Sequence, residues 1–142
     1  MECTGVIVID THVLVWLVND DQRLGAEARK IIEAAAGDKG VFVSAITPWE
    51  IAMLAQKGRL LLSREVGAWI EETLGLHGIQ LAPILPAIAV DSVRLPGNLH
   101  QDPADRLIVA TARHLGFPLV TADRSILNYG AQGFVQAMDA ER

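Results

Sequence analysis

The sequence predicts an α/β fold in which a parallel sheet is covered by helices on both faces. Short apolar runs bounded by polar residues recur along the chain, with longer helix-like stretches between most of them, and this alternation is typical of such folds. Hydrophobic residues make up 51% of the chain and charged residues 20%, which excludes a disordered protein. We expect residues 1–142 to form a single domain, because two separate cores would each bury too little surface.

Five apolar runs are the predicted strands. The first ends at Asp10 and is far shorter than the roughly 20 residues of a membrane span, so we interpret it as a buried strand and expect no membrane segment. A single cysteine, Cys3, cannot form an internal disulfide, which favours a reducing, cytoplasmic compartment. The predicted strands lie at residues 6–9, 41–43, 79–81, 119–120 and 134–135.

Two of the predicted helices have clear start and stop signals. The tetrapeptide TPWE at 47–50 offers an N-cap hydroxyl, a proline at the first helical position and a glutamate at the third, which predicts a capping box and a helix that stops at Gly58. The tetrapeptide DPAD at 102–105 similarly opens a helix that ends at Gly116. The other helices are predicted at residues 12–18, 26–36, 65–74 and 87–95.

Five acids are predicted to meet at one edge of the sheet. Asp10 closes the first strand and Asp123 follows the fourth, and the carboxyl ends of parallel strands form the usual binding crevice. Glu50 and Asp105 lie in the first turns of helices that open toward this crevice, and Asp102 shares a helix face with Asp105. Carboxylates this close repel one another, so a hard divalent cation such as Mg²⁺ or Mn²⁺ would resolve the conflict. Metal-assisted hydrolysis of a phosphodiester is the chemistry that such a site predicts.

The net charge of −5 repels polyanions, so phosphate binding requires a bound cation or local basic groups. Arg106 and Arg124 each adjoin a proposed ligand, and we predict that they contact phosphate or pair with the ligands. Thr11 and Thr121 are predicted to hydrogen-bond to carboxylates or to metal-bound water.

The histidines and tryptophans give weaker signals. The four histidines show no metal-ligand spacing, so we interpret them as structural or surface residues, with His100 as a possible residue at the rim of the site. Trp16, Trp49 and Trp69 lie among apolar neighbours in predicted helices and are interpreted as core or interface residues.

Each acid also has an ordinary structural explanation. Acids in the first turn of a helix are favoured by its dipole, by about 0.3 to 1 kcal/mol, so Glu50 and Asp105 taken singly would be interpreted as caps. Asp102 is the best N-cap candidate and the weakest ligand, and Asp123 fits equally well as the cap of a short helix through residue 127. Asp10 favours function, because an unpaired charge at the end of a buried strand is costly.

Two other functions stay open at this point. A phosphohydrolase with Asp10 as its nucleophile is disfavoured, because His12 stands where such sites carry a second aspartate. A non-catalytic binding module would use the acids to contact a basic partner peptide, and Mn²⁺ would then leave its thermal stability unchanged.

Four motifs resemble the PIN-domain family, specifically its bacterial VapC-like toxin ribonucleases. They span nearly the whole chain in the family's order, which makes the resemblance far more specific than one short motif. The motifs are IDTH at 9–12, TPWEIA at 47–52, DPADRLIVATA at 102–112 and LVTAD at 119–123.

The resemblance implies a three-layer PIN-like fold with about five parallel strands in the order 3-2-1-4-5. It also implies an Mg²⁺- or Mn²⁺-dependent endoribonuclease that acts on RNA, often as a homodimer or higher homo-oligomer, and that is the toxin of a type II toxin-antitoxin pair. A small antitoxin would then dock on the toxin and block its site. The residues that the resemblance assigns to catalysis or metal binding are Asp10, Glu50, Asp105 and Asp123, with Asp102 assisting.

Overall fold

The computed structural model describes residues 5–142, so Cys3 lies outside the described residues. The strands are β1 (Val6–Ile9), β2 (Gly40–Ser44), β3 (Ile79–Ala82), β4 (Leu119–Thr121) and β5 (Ala137–Asp139). The helices are α1 (Thr11–Val18), α2 (Ala26–Ala36), α3 (Ile46–Gln56), α4 (Val66–Leu74), α5 (Pro86–Arg94), α6 (Pro103–Leu115) and α7 (Arg124–Ala131). Between residues 5 and 142, no helix combines the length and the apolar character needed to cross a membrane.

The five strands form one parallel sheet in the order β3-β2-β1-β4-β5, as predicted. Strand β1 lies at the centre of the sheet between β2 and β4. Because every neighbouring pair is parallel, the carboxyl ends of all five strands lie along one edge.

Helices cover both faces of the sheet, which confirms the predicted fold class. Ile7 and Ile9 of β1 pack in a cluster with buried residues of α1, α2 and α4. Val8 points the other way and packs with residues of α5, α6 and α7, because successive side chains of a strand alternate between the two faces. Full burial of one such side chain contributes about 1.5 to 3 kcal/mol to folding.

The prediction of the fifth strand was wrong, because it placed the strand at residues 134–135 instead of Ala137–Asp139. The apolar side chains at the predicted position pack against helices and do not form a ladder. The Phe134 ring stacks on that of Tyr129, with the centroids 4.9 Å apart, and Val135 is buried in the cluster of α5, α6 and α7. The apolar run thus reflects core packing, which hydrophobicity alone cannot distinguish from strand pairing.

The predicted capping box of α3 was also wrong. The helix begins at Ile46, after Ala45, and no side chain caps it. Thr47 lies inside the helix, and its Oγ1 atom is 3.0 Å from that of Thr11 on α1. A contact between two helices therefore takes the hydroxyl that the sequence pattern assigned to a local cap.

The predicted start and end of α6 are correct. The backbone N–H of Asp105 donates to Oδ1 of Asp102 over 3.1 Å, and Gly116 ends the helix in the left-handed conformation, with φ of 75°. Asp123 caps α7 in the same way, by accepting from the N–H of Ile126. Helix α7 continues to Ala131, beyond the predicted end at residue 127.

Candidate active site

The predicted acids come from four places in the chain that meet at the carboxyl edge of the sheet. Asp10 follows β1 and lies at the N-terminus of α1, while Asp123 follows β4 and lies at the N-terminus of α7. Glu50 lies near the start of α3, and Asp105 is the third residue of α6. Each helix is thereby connected to the sheet so that its first turns face the same crevice.

Two groups of three side chains lie close enough to hold a metal ion. Asp10, Glu50 and Asp105 each offer an oxygen, and these atoms all lie within 4.8 Å of one another. His100, Asp105 and Asp123 form a second group within the same distance. Asp105 belongs to both groups and therefore joins the four acids into one cluster.

Asp10 is held by hydrogen bonds to both of its carboxylate oxygens. The Thr121 hydroxyl donates to Oδ2 over 2.6 Å, and the backbone N–H of Thr11 donates to Oδ1 over 2.7 Å. The residue is only 5% exposed, and burial raises the pKa of its carboxyl above the usual value, although these two hydrogen bonds oppose the shift. The side chain is thus fixed in direction before any ligand binds.

Glu50 is held in a similar way by Thr11. The Thr11 hydroxyl donates to Oε1 of Glu50 over 2.6 Å, and Glu50 is 8% exposed. Burial raises the pKa of Glu50, and the neighbouring charge of Asp10 raises it further. Thr11 and Thr121 therefore make the hydrogen bonds to carboxylates that were expected of them, and together they connect α1, α3 and β4.

Asp105 experiences both burial and the charges of all the other acids. Its pKa is raised to about 8, first by burial and then by the neighbouring charges, which are, in decreasing order, those of Asp10, Asp102, Asp123 and Glu50. Carboxylates that repel one another in this way are typical of sites that hold a cation.

Asp102 differs from the other four acids. It is exposed, it caps α6, and it belongs to neither of the two groups. It contributes to the negative potential at Asp105, and its assignment as a metal ligand stays a prediction.

The two arginines make other contacts than those predicted. Arg106 donates to the carbonyls of Ser92 and Leu99 over 2.8 and 2.9 Å, so its guanidinium binds backbone, and a contact with phosphate stays a prediction. Arg124 is 71% exposed and pairs with Asp139 and Glu141 near the C-terminus. The expected pairing of either arginine with a proposed metal ligand is therefore corrected.

No lysine or arginine in the described range 5–142 forms an ion pair with the four clustered acids. Among the described residues, the basic side chain within ion-pair distance of them is that of His100. Its Nε2 atom is 3.2 Å from Oδ2 of Asp105 and 3.8 Å from Oδ1 of Asp123. Sequence spacing gave no ligand pattern for His100, and its place just before Asp102 was the one available signal.

Two of the three tryptophans are core residues, and the interface role expected as the alternative stays a prediction for the third. Trp16 and Trp69 are 7% and 2% exposed, whereas Trp49 is 55% exposed. Trp49 directly precedes Glu50 on α3, and its indole is exposed where the Glu50 side chain is buried. Helical periodicity could not distinguish it, because Ile46 and Ala52, one turn away on either side, are apolar as well.

A family model described as the PIN domain matches residues 7–131. The chain belongs to the PIN-domain family. It is 37% identical to ribonuclease VapC22 of Mycobacterium tuberculosis over 123 residues, which cover 87% of this chain and 91% of that protein.

Solved structures of toxin-antitoxin systems share the fold of this PIN domain. The VapBC2 structure from Rickettsia felis, bound to a DNA fragment from its promoter, matches with a TM-score of 0.69 and 13% identity, over 94% of this chain and 98% of that one. The VapBC-5 structure from M. tuberculosis matches with a TM-score of 0.56 and 16% identity, over 98% of this chain and 100% of that one.

PIN-domain nucleases use divalent metals, and the donor set of this chain fits such an ion. Carboxylate oxygens are the ligands that hard divalent cations prefer. A cation held by Asp10, Glu50 and Asp105 would also offset the repulsion that raises the pKa of Asp105.

Proposed function

We propose that this PIN domain is a divalent-metal-dependent endoribonuclease that hydrolyses RNA phosphodiester bonds with Mg²⁺ or Mn²⁺. One observation carries the proposal: four acids from distant parts of the chain form one cluster, with Asp105 in both of its groups. The 37% identity to ribonuclease VapC22 supports the same reaction and substrate class.

In this proposal, Asp10, Glu50 and Asp105 hold the cation, and Asp123 extends the negative site toward α7. When bound, a divalent cation supplies a water of lowered pKa and neutralises charge on the scissile phosphate. The chain itself contributes preorganisation, because Asp10 and Glu50 are already oriented by the hydroxyls of Thr121 and Thr11.

An acidic protein needs a source of RNA affinity other than its overall charge. The net charge is −5, and Arg106 and Arg124, the arginines next to the acids in sequence, are bound to carbonyls and to acids of the C-terminal segment. The exposed indole of Trp49 offers a stacking surface for a base of single-stranded RNA, which does not require positive charge.

The proposal extends to the partners of the protein. Solved structures with this fold include toxin-antitoxin complexes, among them one from Klebsiella pneumoniae that matches with a TM-score of 0.53. We infer that the chain is the toxin of a type II toxin-antitoxin pair, that a small antitoxin protein covers its acidic edge, and that it acts as a homodimer or higher homo-oligomer in the cytoplasm.

The proposed reaction is tested by replacing Asp10 with asparagine. We expect Asp10→Asn to lower metal-dependent cleavage of single-stranded RNA by about 100-fold or more, because a charge that holds the cation is lost. The measurement is the initial cleavage rate with Mg²⁺ or Mn²⁺ and after chelation with EDTA. Glu71→Gln, an exposed acid on α4, is the matched control and should cleave at the wild-type rate.

Other results of this experiment would favour the rival functions. Cleavage by Asp10→Asn at the wild-type rate, or cleavage that persists in EDTA, would contradict the proposal. An aspartyl-phosphate adduct on Asp10 would indicate a phosphohydrolase. A thermal midpoint that does not rise with Mn²⁺ would indicate a non-catalytic binding module, since a ligand that binds the folded state raises the midpoint.

A further inference from the structure

We infer that His100 is a positioning residue, whose Nε2–H holds the carboxylate of Asp105 beside that of Asp123 and so sets the affinity of the site for its cation. The inference rests on the proposed function. It assigns to the imidazole a role through the carboxylates and not as a ligand of the metal.

The direction of the imidazole follows from its two nitrogen contacts. The backbone N–H of Asp102 donates to Nδ1 of His100 over 3.3 Å. A ring nitrogen that accepts a hydrogen bond carries no proton, so the ring proton lies on Nε2. Nε2 therefore carries the ring proton and lies 3.2 Å from Oδ2 of Asp105, and a nitrogen that carries a proton has no lone pair free for a metal ion.

The position of the imidazole follows from the anchoring of the loop before α6. Arg106 donates to the carbonyl of Leu99 over 2.9 Å and to that of Ser92 at the end of α5 over 2.8 Å. The buried Tyr129 donates its hydroxyl to the carbonyl of Pro96. Contacts from α6 and α7 thus hold the loop at both ends, and His100 has a fixed place above the cluster.

Asp105 is the residue through which this contact acts on the whole site. It is shared by the two groups of possible ligands, and among the contacts of residues 5–142 His100 is the one basic side chain within ion-pair distance of its carboxylate. Hydrogen bonds to ligating carboxylates fix their orientation, and loss of such an outer partner typically lowers metal affinity by roughly 10- to 100-fold.

The test compares Mn²⁺ binding to the intact protein and to three variants by isothermal titration calorimetry. We expect His100→Ala to weaken Mn²⁺ binding about tenfold, with the number of ions bound unchanged. His100→Gln can place an amide N–H near the former Nε2 position and should recover part of the affinity. His114→Gln makes the same change at an exposed position in the last turn of α6 and should bind as the wild type does.

A spin-echo spectrum of the bound Mn²⁺ distinguishes positioning from direct ligation. The inference predicts that the wild-type spectrum shows no coupling to an imidazole nitrogen of His100, so His100→Gln should not remove any such coupling. Such a coupling would overturn it, and so would a His100→Ala variant that folds and binds Mn²⁺ with unchanged affinity. Because these measurements use no RNA, they can succeed even if RNA cleavage fails, so this inference and the proposed function are judged separately.

Discussion

The central strand and the acidic edge of this protein lie one residue apart in sequence and have opposite effects on stability. Val8 and Ile9 are fully buried among apolar side chains, and each contributes about 1.5 to 3 kcal/mol to folding. Asp10 is also buried, at 5% exposure, yet burial raises the pKa of its carboxyl, which means that the charged form is destabilised there.

The same contrast recurs within α6, where Asp105 and Ile108 lie one turn apart. Ile108 is completely buried in the apolar cluster, whereas Asp105 faces three other acids and His100. Burial therefore has opposite effects in the two regions. In the core it stabilises the fold, whereas at the acidic edge it destabilises the charged carboxylates that a cation would bind.

The most direct test of this contrast replaces one acidic residue and, separately, one apolar residue of α6. We expect Asp105→Asn to lower RNA cleavage about 100-fold or more. It should also raise the thermal midpoint of the metal-free protein above about pH 8, where the carboxyl of Asp105 is ionised and repels its neighbours. Ile108→Ala should lower the free energy of unfolding by about 2 to 5 kcal/mol. The cleavage rate of Ile108→Ala should stay near the wild-type value at temperatures below the thermal midpoint of the variant. Chemical denaturation and cleavage assays measure both, and a destabilised Asp105→Asn would contradict the comparison.

The pH dependence of stability provides the next test. The pKa of Asp105 is about 8 in the folded protein, against 3.8 for a solvated aspartate in the unfolded chain, so the folded state binds this proton more tightly. Its contribution to stability is therefore complete below pH 3.8 and is lost as the pH rises toward 8. We expect the midpoint of the metal-free protein to fall between about pH 5 and about pH 9.

Two controls assign this pH dependence to Asp105. Asp105→Asn should flatten the profile, and saturating Mn²⁺ should stabilise the protein most at the alkaline end, where the carboxylates are ionised. A midpoint that rises with pH in the metal-free wild type would show that the acids are not in repulsion.

Replacement of Arg106 tests whether its contacts with the loop before α6 stabilise the fold alone or also support Mn²⁺ binding. We expect Arg106→Leu to lower the free energy of unfolding by about 1 to 3 kcal/mol, since several carbonyls lose a charged donor. It should also weaken Mn²⁺ binding, by less than His100→Ala does, because the loop that carries His100 loosens. Arg124→Ala removes an exposed arginine that pairs only near the C-terminus and should change both quantities little. Unchanged Mn²⁺ affinity in Arg106→Leu would assign Arg106 to the core alone.

The smallest expected effect is at Trp49, an exposed residue that directly precedes Glu50 in sequence. We expect Trp49→Ala to raise KM for single-stranded RNA about tenfold with little change in kcat, because base stacking contributes roughly 1 to 3 kcal/mol to binding. Trp49→Phe should keep most of the affinity. Val93→Ala, an apolar residue that is 79% exposed, is the control. A loss of antitoxin binding with unchanged KM would instead place Trp49 in a protein interface.

Much of the site could be predicted because its acids follow local rules. Asp10 comes directly after β1, Asp123 comes two residues after the end of β4, and Asp105 follows a strong helix start, so the sheet topology directs all three to one edge. The fifth strand was misplaced because Phe134 and Val135 are apolar for reasons of helix packing. The capping box failed because Thr47 contacts Thr11, which lies 36 residues earlier.

The sequence by itself determined the alternation of strands and helices, the order of the family's motifs and the concentration of acids at strand ends and helix starts. These features depend on neighbours in the chain, so periodicity and caps report them. Only the tertiary structure decided which donors serve the acids. Thr121 reaches Asp10 across 111 residues, Arg106 binds backbone carbonyls, and His100 contacts Asp105. Such contacts depend on distances between elements, which are set when the sheet and helices pack and which no local pattern encodes.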